Sequence, residues 1–201
     1  MERDGIRPPE IMRGLPRRFY ERGTIEVARD LLGKVLMHGE TAGIIVETEA
    51  YLGGDDLAAH SAAGITNRTR VIFGPPGHAY VYLSYGMHDC MNIVVDKAGT
   101  PGCVLIRALE PIKGQDAMRR RRPKARTDRD LASGPGKLTQ ALGITRKHSG
   151  VDMTRGDLVV LERPGEHLFQ IAVTPRIGIT KCVELPLRFF IEGNRFVSRA
   201  A

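Results

Sequence analysis

The stretch Gly-Ile-Ile-Val-Glu-Thr-Glu-Ala-Tyr, residues 43–51, predicts the β-strand from which the rest of the fold can be worked out. Successive side chains of a strand point to opposite faces of the sheet. Odd-numbered positions should therefore share one face and even-numbered positions the other, namely Ile45, Glu47, Glu49 and Tyr51 against Val46, Thr48 and Ala50. An acid and an aromatic ring are thus expected to point the same way.

Further strands are predicted on both sides of this segment, at residues 34–37, 78–83, 90–95, 103–109, 158–162, 168–173 and 187–192. Apolar residues at helical spacing from Ile25 to Leu32, ended by Gly33, predict a helix. Pro135 and Gly143 bound a second, shorter helix. Many strands and few helices predict an α+β fold, a single domain with a mostly antiparallel β-sheet core flanked by helices.

The size and charge of the chain limit its organisation and partners. Its 201 residues, 42% of them hydrophobic, suffice for one domain that buries roughly 70% of its unfolded surface. We assign residues 21–201 to that domain and residues 1–20, rich in Pro and Arg, to an irregular basic arm. The net charge of +7 favours a polyanionic partner, although charge alone does not separate DNA, RNA and membrane surfaces.

Apolar runs and cysteine spacing bear on the location of the protein and on metal or disulfide chemistry. No apolar run approaches 18 residues and no signal segment is visible, so we expect a soluble, cytoplasmic protein with no membrane partner. The three cysteines, Cys90, Cys103 and Cys182, have neither disulfide-framework nor metal-site spacing. We interpret them as buried thiols and expect no metal.

Two basic features leave alternatives open. Eight basic residues and two acidic ones lie between Lys113 and Arg129, which indicates either nonspecific attraction to a phosphate backbone or a disordered segment. Lys137 lies in the first turn of the helix that starts near Pro135. That helix end could hold a phosphate, or the helix could be an ordinary connection.

Aromatic residues concentrate near the strand at 43–51. Four of the five tyrosines, Tyr51, Tyr80, Tyr82 and Tyr85, fall within 35 residues of one another. Tyr80 and Tyr82 should share a strand face, whereas Tyr85 has the opposite parity and precedes a glycine, so it should protrude from a turn. Asn92 should present its amide among apolar neighbours. Rings that grip a flat base, a nearby carboxylate and a protruding side chain suit an enzyme that holds a base pulled from DNA.

Six blocks in the same order carry a resemblance to a known family: Glu47–Tyr51, Tyr80–Tyr82, Tyr85–Met87, Cys90–Asn92, Leu105–Pro111 and Ser133–Leu138. They closely resemble the alkyladenine DNA glycosylase family, also called the 3-methyladenine or methylpurine class, from about Ala28 to Phe196. The resemblance implies a monofunctional glycosylase that needs no cofactor. Its partner would be damaged double-stranded DNA, from which it would flip and release 3-methyladenine, 7-methylguanine or hypoxanthine to initiate base-excision repair.

The resemblance also implies roles for individual residues. The catalytic ones are Glu49 as the base that activates water and Arg107 in the charged shell beside it. The substrate-binding ones are Tyr51, His60, Tyr80, Tyr82 and Asn92, with Asn92 obstructing the amino group of normal guanine. The DNA-binding ones are Tyr85 as a wedge that fills the gap left by the flipped nucleotide, Met87 and Lys137.

Three further expectations complete the sequence interpretation. No lysine lies in the blocks that carry the predicted pocket residues, Glu47–Tyr51, Tyr80–Tyr82, Cys90–Asn92 and Leu105–Pro111, so we expect no Schiff-base lyase activity. Asp89 stands beside the wedge where the family usually has a bulky aromatic residue, and it would repel phosphate unless it is paired. We expect a monomer. A noncatalytic nucleic-acid-binding module and a glycosidase for sugar polymers are the alternatives, and replacing Glu49 by Gln would separate an enzyme from a pure binder.

Overall fold

The computed structural model describes residues 13–165 and 167–198 and has the predicted α+β class. The helices are α1 Arg17–Tyr20, α2 Thr24–Asp30, α3 Gln115–Arg121, α4 Asp128–Ala132 and α5 Pro135–Leu142, with 3₁₀ turns at His60–Ala63, Arg70–Phe73 and Arg146–His148. The strands are β1 Val35–His38, β2 Thr41–Tyr51, β3 Ala79–Ser84, β4 His88–Val94, β5 Cys103–Lys113, β6 Leu158–Leu161, β7 Ile171–Thr174 and β8 Arg188–Ile191.

The strands form one sheet in which every described pair is antiparallel. Its order is β3-β4-β5-β2-β1-β6, and β8 pairs with both β2 and β7. Strand β2 is central because its whole length pairs with β5, while its other edge pairs first with β1 and then with β8. The sheet therefore brings side chains from β2, β5 and β8 together at the end of β2 that carries Glu49.

A β-bulge interrupts the alternation of side chains that was predicted along β2. The pairing with β5 shifts register between Ile45 and Glu47, so Val46 is the extra residue. As a result, Ile45 packs in the large core with Ala50, while Val46 lies in a smaller cluster across the sheet. The prediction that Ile45 shares a face with the two glutamates was therefore wrong, because a bulge breaks the period of two.

The helices cover one face of the sheet and shape the large core. The Thr48 hydroxyl donates to the carbonyl of Ala28 at 2.8 Å, which attaches α2 to β2 inside the core. Helix α5 packs against β4 so closely that a Cβ at Gly136 would lie 2.8 Å from the Cβ of His88. This close approach holds the N-terminal end of α5 beside the turn between β3 and β4.

The chain N-terminus differs from the predicted arm where it is described. Residues 17–20 form α1, and Leu15 and Tyr20 are buried in the core. Arg17 also donates to the Asp152 carboxylate at 2.7 Å, so this part belongs to the domain. Residues 1–12 of the predicted arm lie outside the described residues.

The basic segment between Lys113 and Arg129 is ordered, which contradicts the disorder alternative. Helix α3 and the start of α4 occupy it, and Thr127 caps α4 through a capping box with Asp130. Arg129 donates to the carbonyls of Arg195 and Val197, which fixes the end of the described chain.

Smaller differences also appear. The predicted strand at 168–173 begins only at Ile171, and Leu168 is almost fully exposed, because β7 gains a partner only where β8 reaches it. Cys90 and Cys103 are buried as expected, but Cys182 is only half-buried. Among the described residues, no helix is long and apolar enough to cross a membrane.

Candidate active site

Glu49 is fully buried at the convergence of three hydrogen-bond donors. The backbone N–H of Ile177 donates to its Oε1 at 2.7 Å. The hydroxyl of Tyr51 and the Nη1 of Arg107 donate to its Oε2 at 3.0 and 3.2 Å. An ionised carboxylate has about four acceptor positions, and the described residues leave one of them open, on the Oε1 atom beside Ile177.

Glu47 lies two residues earlier and is also fully buried, and its carboxylate accepts from four donors. Its Oε1 accepts from the Nε of Arg107 at 3.1 Å, the Nε of Arg188 at 2.7 Å and the Oγ of Ser198 at 2.9 Å. Its Oε2 accepts from the backbone N–H of Ser198 at 2.7 Å. Glu47 therefore holds Arg107, Arg188 and Ser198 in place.

Burial raises the pKa of Glu49 above its ordinary value. Arg107, the N–H of Ile177 and the hydroxyl of Tyr51 oppose this increase because they favour the charged form, whereas the Glu47 charge adds to it. Arg188 on β8 is the register partner of Glu49, but its guanidinium donates to Glu47. Glu49 is therefore a carboxylate with raised basicity and a free lone pair.

The predicted aromatic residues form one wall of a cleft next to Glu49. The Tyr80 and Tyr82 rings are stacked, with centroids 5.6 Å apart and an angle of 29° between planes. His60 meets the Tyr82 ring edge-on at a centroid distance of 4.5 Å. Tyr51 lines the same cleft, and its hydroxyl donates to Glu49, so this residue contacts both the cavity and the acid.

His60 is neutral in this environment. Burial and then the adjacent charge of Arg68 lower the pKa of His60 to about 4. Its Nδ1 lies 3.0 Å from the Tyr80 hydroxyl, and its Nε2 lies 3.2 Å from the Nη2 of Arg68. A neutral imidazole has one donor and one acceptor, and these two contacts engage both of its nitrogens.

The cleft has a volume of about 720 Å³, within the range of small-molecule sites. Asn92 lines it and donates from its side-chain nitrogen to the carbonyl of Tyr80 at 3.3 Å. Arg107 and Ile177, which hold Glu49, line it as well. The acid thus lies directly behind the cleft wall, in contact with three residues that line it.

Tyr85 and Met87 protrude beside the mouth of the cleft. The exposed fractions of the two side chains are 83% and 72%. Tyr85 adopts a left-handed backbone conformation at φ 47°, followed by Gly86 at φ 68°, which turns the chain from β3 into β4. Tyr85 also lines the cleft, so the geometry matches the predicted protruding position.

Charges around this mouth are mixed. Lys137 is exposed in the first turn of α5, two residues after the cleft-lining Pro135. Asp89 is paired, because its Oδ1 lies 3.2 Å from the Nε of Arg146, although the two atoms are not aligned for a hydrogen bond. Asp89 therefore has a cationic neighbour beside the turn that carries Tyr85.

Several residues of the site gave no recognisable signal in the sequence. Arg176 and Ile177 follow the end of β7 in a loop, and Asp56 lies in the loop after β2, where no periodicity or motif marks them. Lys181 also lines the cleft, although it lies outside the six sequence blocks that carry the resemblance.

Comparison with known proteins identifies the family. Residues 18–195 match the family model for methylpurine-DNA glycosylase. The chain belongs to the methylpurine-DNA glycosylase family. This glycosylase is 54% identical over 193 residues to a protein of Methanoculleus marisnigri, covering 92% of this chain and 98% of the relative.

Two other relatives of the glycosylase support the same assignment. A protein of Methanocella arvoryzae is 50% identical over 195 residues, covering 93% of this chain and 96% of its own. One of Legionella pneumophila is 47% identical over 195 residues, covering 94% and 100%. All three relatives are named as candidate 3-methyladenine DNA glycosylases. The chain is therefore a DNA-repair hydrolase that cleaves N-glycosidic bonds.

Proposed function

We propose that this glycosylase flips alkylated or deaminated purines out of duplex DNA into the cleft, where Glu49 activates the water that hydrolyses the N-glycosidic bond. Its substrates would be 3-methyladenine, 7-methylguanine and hypoxanthine, and its product an abasic site. The observation that carries the proposal is the environment of Glu49. This buried carboxylate has one free acceptor position beside a cleft lined by stacked tyrosines.

The free position on Glu49 supports the role of general base. A water that donates to Oε1 would lie beside Ile177 at the cleft wall, and the raised pKa of Glu49 makes it a better proton acceptor. The negative charge would also stabilise the oxocarbenium-like sugar as the base leaves. Glu47 is a weaker choice of base, because Arg107 is the one partner among its described hydrogen-bond donors that lines the cleft.

The aromatic wall supports capture of a flipped base but not discrimination by itself. Stacking contributes roughly 1–3 kcal/mol per base and accepts many ring systems. A cationic methylated purine has a weakened glycosidic bond and is attracted to electron-rich rings such as Tyr82. Asn92, whose side-chain nitrogen donates to the Tyr80 carbonyl, adds an amide oxygen that can distinguish purine edges. Selectivity would combine the lability of the lesion with these contacts.

One carboxylate suffices in this scheme. Glycoside hydrolases ordinarily use two, one of which protonates the leaving group. A methylated purine already carries positive charge and can leave without that proton. Neutral hypoxanthine would take its proton from solvent, because the neighbouring acid, Glu47, directs its carboxylate to Arg107, Arg188 and Ser198 and does not line the cleft.

The test compares the wild type with Glu49→Gln in single-turnover release of free base from duplexes that contain each lesion, with EDTA present. We expect Glu49→Gln to slow release by about 10²- to 10⁴-fold while duplex binding is retained. Glu162→Gln, at an exposed acid whose partner is Lys34, serves as the matched control. Equal rates for wild type and Glu49→Gln would refute the role of Glu49.

The same reactions, trapped with borohydride, test the monofunctional part of the proposal. Lys181 lines the cleft and could in principle form a Schiff base with the sugar. We expect no covalent protein–DNA adduct, since water activated by Glu49 is the proposed nucleophile. An adduct lost in Lys181→Ala would assign lyase chemistry to that lysine.

A further inference from the structure

A buried ion pair links two loops behind the cleft. Arg176 and Asp56 form a bidentate contact, from Nη1 to Oδ2 at 2.7 Å and from Nη2 to Oδ1 at 2.8 Å. The exposed fractions of their side chains are 0% and 2%. Asp56 lies in the loop after β2, and Arg176 begins the loop between β7 and β8. The pair therefore joins two segments that are 120 residues apart in the chain.

The guanidinium of Arg176 also contacts the end of β2. Its Nη1 donates to the carbonyl of Ala50 at 3.0 Å. Its Cζ lies 4.7 Å from the centroid of the Tyr51 ring, a cation–π distance. Arg176 thus orients the ring whose hydroxyl donates to Glu49.

The next residue completes the connection to the acid. Ile177 donates its backbone N–H to the Oε1 of Glu49, so Arg176 and the donor share a peptide unit. Fixing the guanidinium therefore fixes the direction of that N–H. Two of the three donors to Glu49, from Tyr51 and Ile177, depend on the position of Arg176.

Asp56 extends the same arrangement toward the other wall of the cleft. Its carboxylate accepts from the backbone N–H of Leu52 at 2.9 Å and of Ala58 at 3.2 Å. These bonds fold the loop that ends at His60. Because replacing a buried ion pair by apolar residues is often neutral for stability, stability alone explains this pair poorly. The Nε of Arg176 also lacks an acceptor among the described residues, which adds a cost.

We propose that Arg176 and Asp56 are positioning residues of the glycosylase, which hold Tyr51 and the Ile177 N–H against Glu49 and so set the geometry of the water-activating acid. This inference rests on the proposed role of Glu49. Neither residue needs to touch substrate. Both act through groups that do, and small displacements of such groups reduce catalysis strongly.

The experiment uses Arg176→Lys and Asp56→Asn in the full chain. Lysine keeps the charge but not the two-pronged contact, and asparagine keeps an acceptor for Leu52 but not the charge. The matched control is Arg17→Lys, whose partner is Asp152 at 2.7 Å in another part of the domain. Each protein is measured for thermal midpoint, duplex affinity and single-turnover base release as a function of pH.

We expect Arg176→Lys and Asp56→Asn to slow base release by about 10- to 100-fold with duplex affinity retained. The acid limb of the pH–rate profile should move to higher pH. The N–H of Ile177 favours ionised Glu49, so weakening that bond raises the pKa of Glu49 further. Arg17→Lys should change the thermal midpoint without moving the rate or the acid limb.

A folded Arg176→Lys protein with the wild-type rate and an unmoved acid limb would overturn the inference. If Arg176→Lys does not fold, the same two measurements on Asp56→Asn test the inference instead. A failure of the proposed function is distinguishable, because it would appear as absent base release in the wild type or as an active Glu49→Gln.

Discussion

Glu47 and Glu49 carry the same functional group two residues apart on β2, and their hydrogen-bond partners separate their chemistry. Four donors surround Glu47, including both the N–H and the hydroxyl of Ser198. Three surround Glu49, and one of them is a backbone N–H from the loop after β7. Arg107 bridges the two acids, which couples the structural carboxylate to the one proposed to act.

His60 allows a prediction at the same scale. Removing the charge of its neighbour in Arg68→Gln should raise the pKa of His60 from about 4, although burial keeps it below the ordinary 6.5. The pKa is measured by NMR titration of the His60 ring. Arg70→Gln is the control, because Arg70 bonds Asn67 at 2.7 Å instead. An unchanged pKa in Arg68→Gln would show that Arg68 does not act on the ring.

The depressed pKa of His60 also has a consequence for stability. A group whose pKa falls on folding contributes stability above its unfolded pKa and loses it on acidification. The contribution of His60 should therefore decline as pH drops from about 6.5 to about 4. In Arg68→Gln this decline should be smaller, which acid unfolding of the two proteins would reveal.

At the scale of elements, the short segments predicted from local patterns agree with the structure. Helix α2 ends before Gly33 and α5 runs from Pro135 to Leu142, because glycine and proline act through their own backbone. The stacked pair Tyr80 and Tyr82 follows from the period of two along β3.

The structural features that the sequence did not predict depend on partners far away in the chain. The bulge at Val46 arises from pairing with β5, so the β2 sequence alone cannot reveal it. Asp56 and Arg176 are 120 residues apart and lie in loops, where neither periodicity nor spacing is informative. Ile177 contributes a backbone N–H, a group that every residue except proline carries.

The turn between β3 and β4 allows a prediction about strain. Tyr85 adopts φ 47°, where a tyrosine costs energy that asparagine largely avoids. Since its side chain is 83% exposed, Tyr85→Asn loses no core contact and should stabilise the fold by up to about 1 kcal/mol. The same substitution should slow base release, because it removes the proposed wedge.

Urea midpoints and single-turnover rates test this opposition of stability and activity. Met87→Asn is the control, at an exposed residue of the same turn with negative φ, and it should bring no gain in stability. If Tyr85→Asn is less stable than the wild type, the left-handed conformation is not a strained one. If it releases base at the wild-type rate, Tyr85 is not a wedge.

At the scale of the whole molecule, the basic side chains behind the net charge of +7 differ in whether they are paired with acids of the same chain. Much of the basic segment is committed to internal contacts, such as Arg119 with Asp128 and Arg121 with Glu40. Lys137 instead lies exposed at the N-terminal turn of α5, where the helix dipole disfavours a cation unless an anion is near. A DNA phosphate beside the cleft mouth would supply that anion.

Salt dependence of duplex binding distinguishes these two kinds of charge. Each phosphate neutralised by the protein contributes about −0.9 to the slope of log affinity against log salt. Lys137→Gln should therefore make the slope about 0.9 units shallower and weaken binding equally for damaged and undamaged duplexes. Lys34→Gln should leave the slope unchanged, because the Lys34 ammonium lies 2.6 Å from Glu162. A slope that stays at the wild-type value in Lys137→Gln would mean that the α5 terminus does not bind a phosphate and that α5 is an ordinary connecting helix.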